Sequence, residues 1–227
     1  MEHRHDIYAF VHKGLRAWMS DTLVAVGRLD LADADECRAT LATVDELLAA
    51  SQAHLEHEES FIHPALEAAV GGSSQRTLAE HAEHRAEMDT IAACALRLSA
   101  ASTSAQRAEP ARALYAALAA WTAENLRHMA LEETDNNAVL WAHYSDAQIA
   151  GLEARLVGAI PPEQMLAYLR HMVPAMAPVE RVQLLGGMQQ ALPAPAFADV
   201  LERIKPVLAA RDWFKLMLGL GPMPLGA

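Results

Sequence analysis

His54-Leu55-Glu56-His57-Glu58 and His128-Met129-Ala130-Leu131-Glu132 repeat one His-x-x-x-Glu spacing, 74 residues apart. Residues four apart on an α-helix share a face, one turn above each other. Each pair can therefore aim an imidazole and a carboxylate at a common point. Two such helices facing each other would offer two nitrogens and two carboxylates to a metal pair. Histidines on matching faces of neighbouring helical stretches extend the set. The candidate ligands are His12, His54, Glu58, His81, His84, His128 and Glu132.

The hydrophobic pattern around these motifs is helical. A first helix is expected from about Asp6 to Gly27, with Tyr8, His12, Leu15, Met19, Thr22 and Val26 on one stripe. Asp33 and Glu36 have the spacing of a capping box for a second helix. Its stripe is Leu41, Val44, Leu48, Ser51, His54, Glu58 and Ile62, ending near Gly71-Gly72. A third helix starts at Ser73-Ser74 and carries Leu78, His81, His84, Met88, Ile91, Ala95 and Leu98. A polar segment from Ser99 to Glu109 then breaks the pattern, and Pro110 suits the first turn of a fourth helix. The fourth stripe is Leu114, Leu118, Trp121, Asn125, His128, Glu132, Asp135 and Val139. Steps of three and four on all four stripes are the pattern of bundle helices.

The candidate ligands lie on these apolar stripes, not opposite them. Hydrogen bonding within the core is the simpler account of any single one of the histidines. Seven ionisable groups on four core-facing stripes need a shared reason, because a buried charge without a partner is expensive. A metal centre supplies that reason.

Composition limits the alternatives. Hydrophobic residues make up 52% of the 227-residue chain while aromatics are only 5%, a balance that favours helix over strand. A net charge of −11 argues against a nucleic-acid partner, which requires clustered Lys and Arg. Cys37 and Cys94 are far apart and suggest neither a disulfide framework nor a thiolate metal site. The charged N-terminus has no apolar run suited to a signal peptide, and no stretch approaches the roughly 20 apolar residues needed to span a membrane. A soluble, cytoplasmic protein without a membrane partner is the expectation.

From Ser145 the character changes. Ser145 with Gln148 predicts a helix start, and prolines at 161, 162, 174, 178, 193, 195 and 206 cut the rest into short helices ending near Leu218. Gly219 to Ala227 reads as a loose tail. The apolar Trp213-Phe214-Lys215-Leu216-Met217-Leu218 predicts packing against the rest of the chain, with a homodimer contact as the sharper alternative. The expected architecture is all-α: four bundle helices over 1–144 and a helical extension over 145–227.

Rival chemistries fit less well. The Glu-x-x-His spacing of ferritin-like carboxylate proteins occurs only at Glu2 to His5, outside any stripe. A His-Glu-x-x-His zinc motif fails at Phe61, where the second His is required. The ordered set instead resembles the hemerythrin-like family, the hemerythrin HHE cation-binding domain, over about Asp6 to His143. Its carriers are Val11-His12-Lys13-Gly14-Leu15-Arg16, His54-x-x-x-Glu58-Glu59 with Ile62-His63-Pro64-Ala65-Leu66, Glu80-His81-Ala82-Glu83-His84, and His128-x-x-x-Glu132-Glu133.

That resemblance implies an up-down four-helix bundle with two iron ions, oxo- or hydroxo-bridged, held in its core and open to dioxygen or nitric oxide. Binding or sensing of such a ligand is the first expectation. A di-iron redox enzyme or iron-handling protein, acting on nitric oxide or peroxide or in iron–sulfur cluster repair, is the alternative. A scaffold with a structural metal is a third reading. The chain departs from the family pattern twice. Arg85 stands four after His81, where the family often has a second His, and His84 stands at three. Glutamates follow His128 at both four and five, so Glu132 and Glu133 are both candidates, with the symmetry to Glu58 favouring Glu132. Glu59 is placed to hydrogen-bond a ligand His.

Overall fold

A computed structural model describes residues 4–221. The expectations for Glu2, for His3 and for the tail beyond Gly221 lie outside the described residues. Those residues form helices and turns without a strand. In chain order they are α1 (Ala9–Gly27), α2 (Ala34–His57), a π-helical turn (Glu58–Ile62), α3 (His63–Ala69), α4 (Gln75–Ala100), α5 (Ser104–Leu131), a second π-helical turn (Glu132–Asn136), α6 (Asn137–His143), α7 (Asp146–Ala159), α8 (Pro162–Ala175), α9 (Pro178–Ala191), α10 (Ala194–Ile204), a 3-10 turn (Lys205–Val207) and α11 (Ala210–Leu220). Among the described residues no helix is long and apolar enough to cross a membrane.

The chain forms two compact units. Among the described residues the first comprises 4–9 with Trp18–Ile160, and the second comprises Phe10–Ala17 with 161–221. Helix α1 thus contributes to both. The contacts group α7 with the first unit, one helix beyond the division at 144 and 145 expected from composition. Ile149, Leu152 and Leu156 of α7 pack with Tyr8, Ile62, Leu66 and Leu140.

Local chemistry explains three helix starts. Asp33 caps α2 by accepting from the backbone N–H groups of Asp35 and Glu36. The expected box is not closed, because Glu36 accepts from Asp30 N–H instead. Helix α5 begins six residues before Pro110, since Thr103 and Gln106 form a capping box there. Pro110 is therefore inside the helix, and the polar stretch before it is its first turn and a half. Ser145 and Gln148 form the expected capping box of α7. Gly219 and Leu220 are helical, so the last helix runs two residues past its expected end.

The stripes hold with local slips. All six stripe residues of the first helix are buried. On the second, Leu47 is fully buried and Leu48 only half so. On the third, Thr77 is buried and Leu78 is 47% exposed, because Thr77 stands one full turn before His81 and faces the same interior. On the fourth, Asp135 is exposed and Val139 half-buried, whereas Asn136 and Leu140 are buried. The cause is the second π-helical turn. Asn137 N–H bonds the carbonyl of Glu132, five residues back, so the turn holds one residue more than an α-turn and every later side chain is shifted by one.

Side-chain contacts set helix directions in the first unit. Arg97 pairs with Glu109 and Asn125 approaches His84, so α4 and α5 run antiparallel. Arg85 pairs with Glu59 while Thr77 meets His63, so α4 is antiparallel to the run from α2 into α3.

The second unit has its own apolar core, built from Leu166, Leu169, Val173, Leu185, Phe197, Leu201, Ile204 and Leu216. Trp213 and Met217 of α11 lie partly buried against it, while Phe214 and Leu218 face solvent. Buried Arg181 donates to the carbonyls of Val173 (2.7 Å) and Pro174 (2.9 Å), satisfying the C-terminal end of α8. Gly14 lets α1 approach α8 closely. A Cβ there would overlap Met172 Cγ and lie 3.0 Å from Met172 Cα.

Two predictions concern this unit. Gly14→Val forces that contact apart and is expected to cost about 1–3 kcal/mol in urea unfolding. Burial, with Arg170 nearby, lowers the His171 pKa to about 4. An unfolded His takes up a proton as pH falls below about 6.5, whereas the folded form resists it until about 4. The unfolded state then binds more protons, so stability is full above that window and falls as pH drops through it. Thermal melts from pH 7 to 4 should show a smaller loss for His171→Leu than for the parent chain.

Candidate metal centre

Five elements deliver ionisable side chains to the interior of the first unit. Helix α2 brings His54, and the first π-helical turn opens on Glu58. Helix α4 brings His81 and His84. Helix α5 brings His128, and the second π-helical turn opens on Glu132. Both His-x-x-x-Glu motifs thus end on the first residue of a π-helical turn, a distortion found often at functional sites.

Glu58, His81, His128 and Glu132 are all buried, and each offers a ligand atom within 4.8 Å of the others. His54 Nε2 is 3.2 Å from Glu58 Oε1, and His81 Nε2 is 3.3 Å from Glu58 Oε2. One carboxylate thus reaches a different imidazole with each oxygen. His128 Nε2 is 3.3 Å from Glu132 Oε1, which His81 Nε2 approaches at 3.8 Å. Glu132 is fully buried and Glu133 is only half-buried, so Glu132 is the residue brought to this cluster.

The two central imidazoles face each other, with 3.1 Å between His81 Nε2 and His128 Nε2. Their outer nitrogens are already engaged. His81 Nδ1 lies 3.0 Å from Glu59 Oε1, and His128 Nδ1 lies 2.8 Å from Glu80 Oε2. Both glutamates have lowered pKa values despite the opposing effect of partial burial, because they bond these histidines and Arg85 or Arg76. They are carboxylates, so each Nδ1 is the donor and each Nε2 points its lone pair inward. Two lone pairs at hydrogen-bond distance repel unless a cation lies between them. Without a metal, a proton fills that need. Burial acts to lower the His81 pKa, but Glu132 and Glu58 outweigh it and raise the value to about 10. His128 is raised in the same way, mainly by Glu132 against burial. Neutral imidazole and carboxylate are a fit for iron, manganese or zinc, and a divalent ion would replace these protons.

Of the remaining candidates, His84 lies farther out. His84 is buried, its ring edge-on to His128 at 4.9 Å, and its Nδ1 is 3.4 Å from Glu87. It stands outside the tight cluster. Burial, and the charges on His128 and His81, lower its pKa to about 4. His12 is fully buried on α1, in the stretch 10–17 that belongs to the second unit. Tyr8 and Trp121 are fully buried, and the Tyr8 hydroxyl accepts a bond from Asn136 at 3.2 Å. Burial, then Glu132 and Glu58, raise the Tyr8 pKa well above 10 and keep the phenol protonated.

Two further residues meet the cluster. At constant helical spacing His63 flanks the motif on another face, either exposed or beside the ligands; in the structure it is buried and stacks on His81 at 5.1 Å. Its Nε2 is 3.3 Å from the Thr77 hydroxyl, which itself donates to Ser74 carbonyl. The π-helical turn explains the change of face, since the His63 N–H bonds Glu58 carbonyl across five residues. Glu80 was not singled out as a site residue. Its neighbour His81 was the only local signal, and its partner His128 lies on another helix.

The fold and site together define an all-helical protein with a buried His and Glu cluster suited to metal cations. A model of the hemerythrin HHE cation-binding domain matches residues 5–139, so the chain belongs to that family. Comparisons with curated proteins and with solved structures returned no match.

Glu58→Ala and Glu132→Ala each remove a carboxylate on which this cluster converges. Elemental analysis after metal loading and dialysis should find metal on the parent chain and none on either variant. A Glu133→Ala control should keep its metal.

Proposed function

We propose that this chain is a non-haem di-iron protein that binds dioxygen or a related small ligand such as nitric oxide. One observation carries the proposal: Glu58 presents one oxygen to His54 and the other to His81. A carboxylate shared in that way is suited to join two metal ions. The proposed ligand set keeps Glu58 and Glu132 as the shared carboxylates, with His54, His81 and His128 beside them. His12 enters from its place on the first helix stripe. His84 enters from the same reasoning and stands next to His128.

The proposal also takes α1, α2 with α3, α4, and α5 with α6 as an up-down four-helix bundle. The antiparallel pairings of α4 with its two neighbours support it. A cytoplasmic location belongs to the same reading and rests on composition. Two ferrous ions bound there would supply electrons and an open coordination position for the small ligand. The protein residues do the rest. Glu59 and Glu80 orient two of the imidazoles. Fully buried Tyr8, close enough to feel the charge of Glu132 and Glu58, helps keep bulk water from the carboxylates.

The test is anaerobic loading with ferrous iron, followed by optical spectra before and after oxygen is admitted. Two irons per chain and visible charge-transfer bands that vanish when oxygen is removed are expected. Bands that persist would replace this reading with redox or iron-handling chemistry. Two bound irons with no bands would reject oxygen binding.

A further inference from the structure

Each central imidazole is held from behind by a glutamate that is itself held by an arginine. Glu59 Oε1 receives both His81 Nδ1 at 3.0 Å and Arg85 Nη1 at 2.8 Å. Glu80 receives His128 Nδ1 on Oε2 at 2.8 Å and Arg76 Nε on Oε1 at 3.0 Å. The two chains of contact run from the cluster outward: His81, Glu59, Arg85 and His128, Glu80, Arg76. Arg85 is the residue that stands where the family often places another histidine.

We propose that Glu59 with Arg85 and Glu80 with Arg76 are opposed controls on how strongly His81 and His128 donate to a metal. The inference rests on the metal-binding reading above. An anionic acceptor on Nδ1–H pulls the proton outward and makes Nε2 a stronger donor. An arginine on the same carboxylate withdraws part of that charge. The two members of each pair therefore act in opposite directions on one imidazole. These are positioning residues, since they reach the metal only through a histidine.

The pairs are not equal. The Arg85 side chain is 31% exposed and Arg76 69%. Solvent screens an exposed ion pair strongly. Arg85 also places its charge on the same oxygen that His81 uses, whereas Arg76 holds the other oxygen of Glu80. Arg85 therefore exerts the stronger restraint, and His128 is left the stronger donor of the two.

Backbone geometry makes the His81 arrangement possible. Glu58 meets His81 Nε2 and Glu59 meets His81 Nδ1, so consecutive residues hold both nitrogens of one ring. Both lie in the first π-helical turn.

The test uses the full chain with cobalt(II) alone as a spectroscopic metal probe, then the reduction potential of the iron-loaded protein. Glu59→Gln keeps the shape and removes the charge. Its cobalt affinity should fall about 10- to 100-fold, and its potential should rise as the oxidised metal loses a strong donor. Arg85→Gln should move the potential the other way, with cobalt affinity equal to or above that of the parent. Arg76→Gln should shift it in the same direction by less. A purely structural role would instead make Glu59→Gln and Arg85→Gln both weaken binding and lower the melting temperature together. Equal binding and potential in Glu59→Gln and the parent, or shifts of one sign in both variants, would overturn the inference. Should Glu59→Gln fail to fold, the two arginine variants carry the test. A parent chain that binds neither cobalt nor iron would overturn the metal reading itself.

Discussion

Two imidazole nitrogens facing each other at 3.1 Å, inside a cage of buried carboxylates, are the constraint on which this protein depends. Such an arrangement repels itself unless positive charge sits at its centre. The surrounding residues make sense as responses to that need. Glu58 and Glu132 supply compensating negative charge, and Glu59 and Glu80 fix the outer protons so that both inner lone pairs converge. With a cation present, the same cage becomes a set of mutually supporting bonds. Without one, it holds protons where an ordinary histidine would not.

The cage has a cost in folding that the rest of the unit offsets. Burying several ionisable groups is unfavourable even when they are paired. Apolar layers flank them: Leu114, Leu118 and Trp121 precede His128 on α5, and Ile62, Leu66 and Leu140 follow the two glutamates. The layer before His128 comes from the stripe that carries the ligands, and the layer after the glutamates from the face that the π-helical turns bring inward. The helix that presents a ligand is thus anchored by apolar contacts.

Much of this was legible in the sequence because it depends on spacing four along a helix. The helical class and the grouping of Glu58, His81, His128 and Glu132 follow from stripes that any L-amino-acid helix must obey. What was not legible depends on backbone departures and on cross-helix partners. The π-helical turns moved Asp135 out and Asn136 in, and brought His63 against His81, because one additional residue per turn defeats a constant period. Glu80 acts on His128 from another helix, which no local pattern encodes. Helix α5 starts ahead of Pro110 because the Thr103 and Gln106 cap, and not the proline, sets its first turn. A proline's missing N–H is tolerated near a helix start, so it marks the neighbourhood of that start and not its first residue.

The paired π-helical turns have a mechanical consequence. Each acts as a phase slip in one continuous rod. Before the slip, the rod is in phase with the charged cage; after it, with the apolar cluster of Leu66 and Leu140. Two neighbouring rods slip at equivalent points, immediately after their shared donor. The two interiors are therefore geared separately although they share the same shafts. A substitution in the apolar half and one among the donors therefore fall on different faces of the same helices, although the two lie on one stripe in the sequence.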